Sequence, residues 1–142
     1  MIIKKIYSKI NDDKLLHIVC KHSKEKDKNR IDIVPAENFI QCSILNLEKG
    51  QTFRPHRHIK KERVYKEKIA QESWVVIKGK VKCIFYDLDN SILTTEYLLP
   101  GESSFTLEAG HNYEILEEET IVYEYKTGPY EGQFLDKEFI GA

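Results

Sequence analysis

The sequence predicts an all-β single domain, a sandwich or barrel of roughly eight to ten short strands. Three observations carry this. At 142 residues and 41% hydrophobic, the chain has enough apolar material for one core and not for two. Short runs rich in β-branched and aromatic residues recur at roughly 8–12-residue spacing, each closed by Gly, Pro, Asn or Asp. Finally, the segment Gly50 to Gly79 holds the one dense set of metal-ligand residues, and strands on either side read as a frame for it.

The elements follow in order. Leu15-Leu16-His17-Ile18-Val19-Cys20 is an apolar run of strand length, and the charged stretch Lys21 to Arg30 after it reads as a solvated loop. Strand character resumes at Ile31-Asp32-Ile33-Val34, breaks at Pro35-Ala36-Glu37-Asn38, and returns from Phe39 to Leu47. Glu48-Lys49-Gly50 turns the chain into a strand bearing His56 and His58, and residues 59–71 form a charged excursion that fits neither period. From Glu72 the pattern is plainly β: Glu72–Lys78, a Lys78-Gly79 turn, Val81–Asp87, a turn through Asp87-Leu88-Asp89-Asn90, then Ile92–Leu99 and Pro100-Gly101. Ser103–Glu108, His111–Leu116, the acidic turn Glu117-Glu118-Glu119 and Thr120–Lys126 complete the series. Residues 1–38 supply N-terminal strands and a charged loop, 39–130 the core of the domain, and 131–142 a C-terminal tail.

Composition limits the partners. The net charge of −1 arises from 22 basic and 23 acidic residues, which speaks against a basic nucleic-acid-binding face. The first residues have no apolar run of signal-peptide length, and nowhere does one approach the roughly 20 residues of a membrane span. A cytoplasmic protein with a small-molecule ligand, and neither nucleic acid nor membrane as partner, is the expectation. Cys20, Cys42 and Cys83 are widely spaced and odd in number, so buried free thiols are expected rather than a disulfide framework.

The chemistry centres on His56-Arg57-His58. On a strand, residues i and i+2 share a face about 6–7 Å apart, so both imidazoles can converge on one ion. Glu72 is the carboxylate that would complete the set, and two imidazoles with a carboxylate suit a divalent transition metal such as Zn, Fe, Mn or Ni. Arg54 shares the histidines' face and could hold an anionic group, or equally reach to solvent. Trp74 shares the face of Glu72; core burial is its commoner role, lining a ligand pocket the sharper one. His17 and His22 lie outside the cluster and read as structural or surface residues.

These residues resemble the two signature motifs of the cupin superfamily. Gly50, five residues, His56-Arg57-His58, then Glu72, six residues and Gly79 follow the first motif, except that thirteen residues separate His58 from Glu72 where a few are usual. Glu62 would satisfy the shorter gap, but no glycine follows it at the motif's far end. The second motif is partly matched by Gly101 to His111, with Leu107 in place of proline and His111 directly after Gly110. Strict spacing from Gly110 would put the last ligand on Tyr113, which shares a strand face with His111. The ending Glu124-Tyr125-Lys126-Thr127-Gly128-Pro129-Tyr130 is similar to that of the WbuC-like cupin-fold metalloproteins associated with surface-polysaccharide genes.

The resemblance implies a cupin-type double-stranded β-helix, or jelly-roll barrel. It implies a metal held by His56, His58, Glu72 and His111, and, since cupins commonly pair, a homodimer. It also implies action on a small polar molecule, a carbohydrate or nucleotide-linked sugar, through isomerase or epimerase chemistry. Tyr113 and Glu62 are the candidate proton carriers, with Arg54 and Trp74 as substrate-binding residues. Two alternatives stand beside this: a non-catalytic sugar- or metal-binding module, and an iron-dependent oxygenase. Fold alone does not choose among them.

Overall fold

In the computed structural model, residues 1–23, 30–58, 69–128, 132 and 136–141 are described. Ten strands follow one another: β1 (Ile2–Tyr7), β2 (Leu15–Lys21), β3 (Arg30–Asp32), β4 (Ser43–Leu45), β5 (Glu72–Lys78), β6 (Val81–Tyr86), β7 (Ile92–Leu98), β8 (Ser103–Thr106), β9 (His111–Ile115) and β10 (Ile121–Lys126). Every pairing is antiparallel. The strands form a five-stranded sheet ordered β1-β2-β8-β5-β10, a three-stranded sheet ordered β7-β6-β9, and the two-stranded β3-β4. The all-β expectation holds, and no helix among the described residues is long and apolar enough to cross a membrane.

Alternation explains the packing. On β6, Val81, Cys83 and Phe85 are fully buried and the residues between them only partly so, the period-2 signature of a strand with one face inward. They join Val76 of β5, Leu93 and Leu98 of β7, and Leu16, Val19 and Ile6 in one cluster, which glues the three-stranded sheet to the five-stranded one. A second cluster lies on the opposite face of the larger sheet, where Ile18, Cys20, Phe105 and Leu107 meet Ile33 and Val34 beside β3. Strands β2 and β8 are therefore covered on both sides, and β2 is a continuous apolar run for that reason. A bulge opposite Ile6 and Tyr7 leaves Leu16 out of the ladder, so it turns toward the same cluster as Val19 despite odd spacing.

Turn chemistry fixes the register. The β5–β6 turn needs Gly79, whose φ of +85° disfavours a side chain and whose Cβ would run into Thr120. The β6–β7 hairpin is pinned by Asp87, whose carboxylate accepts hydrogen bonds from Ser8 Oγ at 2.6 Å, the Lys9 amide at 2.7 Å and the Leu88 amide at 2.8 Å. The three cysteines are free thiols; burial pushes Cys20 to about 11 and Cys83 to about 12, and Cys42 is half-buried.

The first third of the chain departs from expectation. Ile2–Tyr7 is a strand at the edge of the larger sheet, its lysines facing water as edge strands favour. The run from Phe39 to Leu47 contributes only Ser43–Leu45. The expected strand carrying His56 and His58 is absent: residues 51–58 are irregular and exposed throughout. Pro55 offers no amide to a ladder, and Phe53, the single large apolar residue there, is 58% exposed, so nothing anchors a strand face.

His17 is fully buried between the sheets. Its Nε2–H donates to the Tyr86 carbonyl at 3.0 Å, which leaves Nδ1 to accept from Thr106 Oγ1 at 3.2 Å, so the ring is built in as a neutral imidazole. Burial, the largest influence, lowers its pKa from 6.5 to about 4. Between those values the unfolded chain binds a proton that the folded chain does not, so stability is full above pH 6.5 and falls as the pH drops toward 4. The contribution is about 3 kcal/mol. Urea melts of wild type across this window should show that slope, and His17→Gln should flatten it; an unchanged slope in the variant would contradict the assignment.

Candidate functional site

Glu72 and Trp74, two apart on β5, project from one face of the larger sheet, while His111 and Tyr113, two apart on β9, project from the smaller sheet. They meet between the sheets. His111 Nε2 donates to Glu72 Oε1 at 3.1 Å, and Tyr113 stacks on Trp74 with ring centroids 3.9 Å apart and planes 11° from parallel. The Trp74 indole N–H is shared between Glu72 Oε1 and Glu124 Oε2, both at 3.1 Å. The Tyr113 hydroxyl pairs with Ser104 Oγ at 3.0 Å on β8. The predicted shared faces of Glu72 with Trp74, and of His111 with Tyr113, are thus both present, and each pair faces the other.

The electrostatics follow from this geometry. Glu72 is 5% exposed, and its burial opposes ionisation; the His111 hydrogen bond, with Lys137 and Lys126 nearby, outweighs it and holds the carboxyl below its ordinary range. Lys126 Nζ lies 4.0 Å from Glu72 Oε2 and is also paired with Asp136. Burial raises the Tyr113 phenol well above its ordinary value, so it stays protonated at neutral pH. His111 Nδ1 is buried without a hydrogen-bond partner.

The other predicted residues stand apart. His56 and His58 are neighbours, their rings edge to face at 5.6 Å, but both are exposed, and His56 Nδ1 is occupied with the Arg54 carbonyl at 3.1 Å. Arg54 is exposed on the same irregular stretch. Because the strand geometry expected there is missing, alternation does not bring the two imidazoles to a common point. Among the described residues no three His, Cys, Asp or Glu side chains are gathered as a metal's ligands would be. Glu62 lies outside the described residues.

Three participants escaped the sequence reading: Lys126, Glu124 and Asp136. The first two had a signal. Glu124 and Lys126 alternate with Tyr123 and Tyr125 on β10, and that strand pairs Glu124 with Trp74 and Lys126 with Glu72. Asp136 in the tail had none. Compared with family models, curated proteins and solved structures, the chain matches none of them.

The stack and the hydroxyl of Tyr113 can be separated experimentally. Tyr113→Phe should keep the near-ultraviolet circular dichroism of Trp74 and cost about 1 kcal/mol for the Ser104 hydrogen bond. Tyr113→Ala should abolish that band and cost about 3 kcal/mol or more. Equal losses in both variants would mean that the stack contributes nothing.

Proposed function

We propose that the chain is a jelly-roll barrel of cupin type that binds a divalent transition metal and acts on a small polar molecule, a carbohydrate or nucleotide-linked sugar. The supporting topology is the way the chain shuttles between sheets: β8 returns to β5, β9 to β6, and β10 to the free side of β5, crossovers of the Greek-key kind from which jelly rolls are made. The observation that carries the functional reading is the buried Glu72 carboxylate, kept ionised and hydrogen-bonded by an imidazole from the facing sheet.

The donor chemistry fits such an ion. Glu72 is already in the deprotonated form that a ligand must have, and His111 keeps one nitrogen without a partner. His56 and His58 would supply the remaining imidazoles. The bound ion would polarise a carbonyl or hold vicinal oxygens of a sugar. The chain's own groups orient and select: Trp74 presents an indole edge beside two carboxylates, and Lys126 and Arg54 suit an acidic group. Tyr113, as a neutral phenol, can give a proton but not take one.

Isomerisation beside a carbonyl is the reaction class these groups match. A non-catalytic binding module is the second reading. It is favoured by one observation, that the Tyr113 hydroxyl is spent on Ser104 and its proton held tightly by burial.

Metal analysis of the purified protein should find about one equivalent per chain. His56→Ala with His58→Ala should lose it while leaving a folded barrel, because neither ring is packed in the core. Full metal in the double variant would refute the ligand set. Metal-replete protein given keto-sugar nucleotides should exchange a substrate C–H for solvent deuterium, and chelation should stop it; binding with no exchange and no product would establish the module instead.

A further inference from the structure

The C-terminal segment 136–141 runs across the end of the sandwich where Glu72 meets His111. At one end Asp136 pairs with Lys126, which closes β10. At the other, Ile140 packs on Gly110, the residue before His111, so closely that a Cβ at Gly110 would run into it; Tyr86 lies against the same spot. Between them, the charge of Lys137 reaches Glu72. The tail therefore touches β10, the ladder partner of β5, and the residue that leads into β9.

We propose that this tail is a strap, and that Asp136 occupies on Lys126 the place of a carboxylate belonging to an acidic ligand. The inference deepens the small-polar-ligand reading and does not depend on the metal. Lys126 is 15% exposed and has two kinds of partner. Glu72 is fixed, because β5 is held by ladders to β8 and β10. Asp136 belongs to no ladder and can leave. Glu72, Glu124 and Asp136 all bear on the one ammonium, so exchanging Asp136 for another carboxylate keeps the charge balance, whereas a doubly charged phosphate would worsen it. A uronate or similar sugar carboxylate fits; a neutral sugar has no means of displacing the strap.

Trp74 is the only tryptophan in the chain and shares its N–H with Glu72 and Glu124, so its fluorescence reports on this end of the molecule. Chelator-treated wild type, Asp136→Asn, Ile140→Ala and Lys126→Met would be titrated with glucuronate and with glucose, and separately quenched with acrylamide. Asp136→Asn and Ile140→Ala should each raise both quenching and glucuronate affinity by about two- to five-fold, the scale of one accessible ion pair. Lys126→Met should bind no glucuronate, and glucose should leave every variant unmoved. If both strap variants match wild type in quenching and affinity, or Lys126→Met binds glucuronate like wild type, the proposal falls. Should Asp136→Asn fail to fold, Ile140→Ala and Lys126→Met decide alone. The metal reading stands or falls separately, since no metal is present in this assay.

Discussion

A sheet covered on both faces must satisfy every polar group it encloses, and that requirement organises this molecule. The strands β2 and β8 lie between two apolar clusters, yet carry His17, Ser103, Ser104 and Thr106. An unpaired polar atom in such a place costs about 1–3 kcal/mol. His17 is accordingly paired at both nitrogens, Ser104 with Tyr113, and Gln71 with the Ile40 amide, Asn38 and the Leu107 carbonyl. The last set is what ties the 38–40 loop to the sheet. Among the described residues two buried side-chain atoms lack a partner, Ser73 Oγ and His111 Nδ1. The first is next to Glu72 on β5, and the second belongs to the ring that donates to it. Ser73 projects from the opposite face of β5, so of the two only His111 Nδ1 belongs to the candidate site.

How much of this was legible in the sequence depends on where the chain is read. From Glu72 onward strand alternation and turn residues agree, and the strands fall within a residue or two of expectation. β6 alternates cleanly between buried and half-buried positions, and the turns that flank it place Gly79 and Asn90 at positive φ. Before Glu72 the signals conflict. Ile2–Tyr7 is a lysine-rich edge, and the strand bearing His56 and His58 is suggested by histidine spacing alone. Spacing shows where side chains would point if a strand formed. It does not supply the ladder amides, which Pro55 interrupts, or the apolar face, which Phe53 does not provide.

The site was legible by halves for the same reason. Glu72 with Trp74, and His111 with Tyr113, were each readable as strand neighbours, because each pair is two apart in a β-rich run closed by turn residues. That the two pairs face each other is a property of the sheet crossovers, which no local pattern encodes. Lys126 and Glu124 became participants through the pairing of β10 with β5.

The direction of the two shifts in the interior bears on chemistry. A residue that moves protons near neutral pH works best with a pKa close to 7. Glu72 is pushed below its ordinary range, which makes it a weak proton acceptor, and Tyr113 is pushed up, which makes it a reluctant donor. Both lie farther from neutrality than they would in water. The interior is thus arranged to hold fixed charge and fixed hydrogen bonds: an anion at Glu72, a cation at Lys126, an aromatic pair clamped between the sheets. Such a site suits binding and orientation. Isomerisation would ask for a proton step that neither shift favours, whereas a binding module needs none.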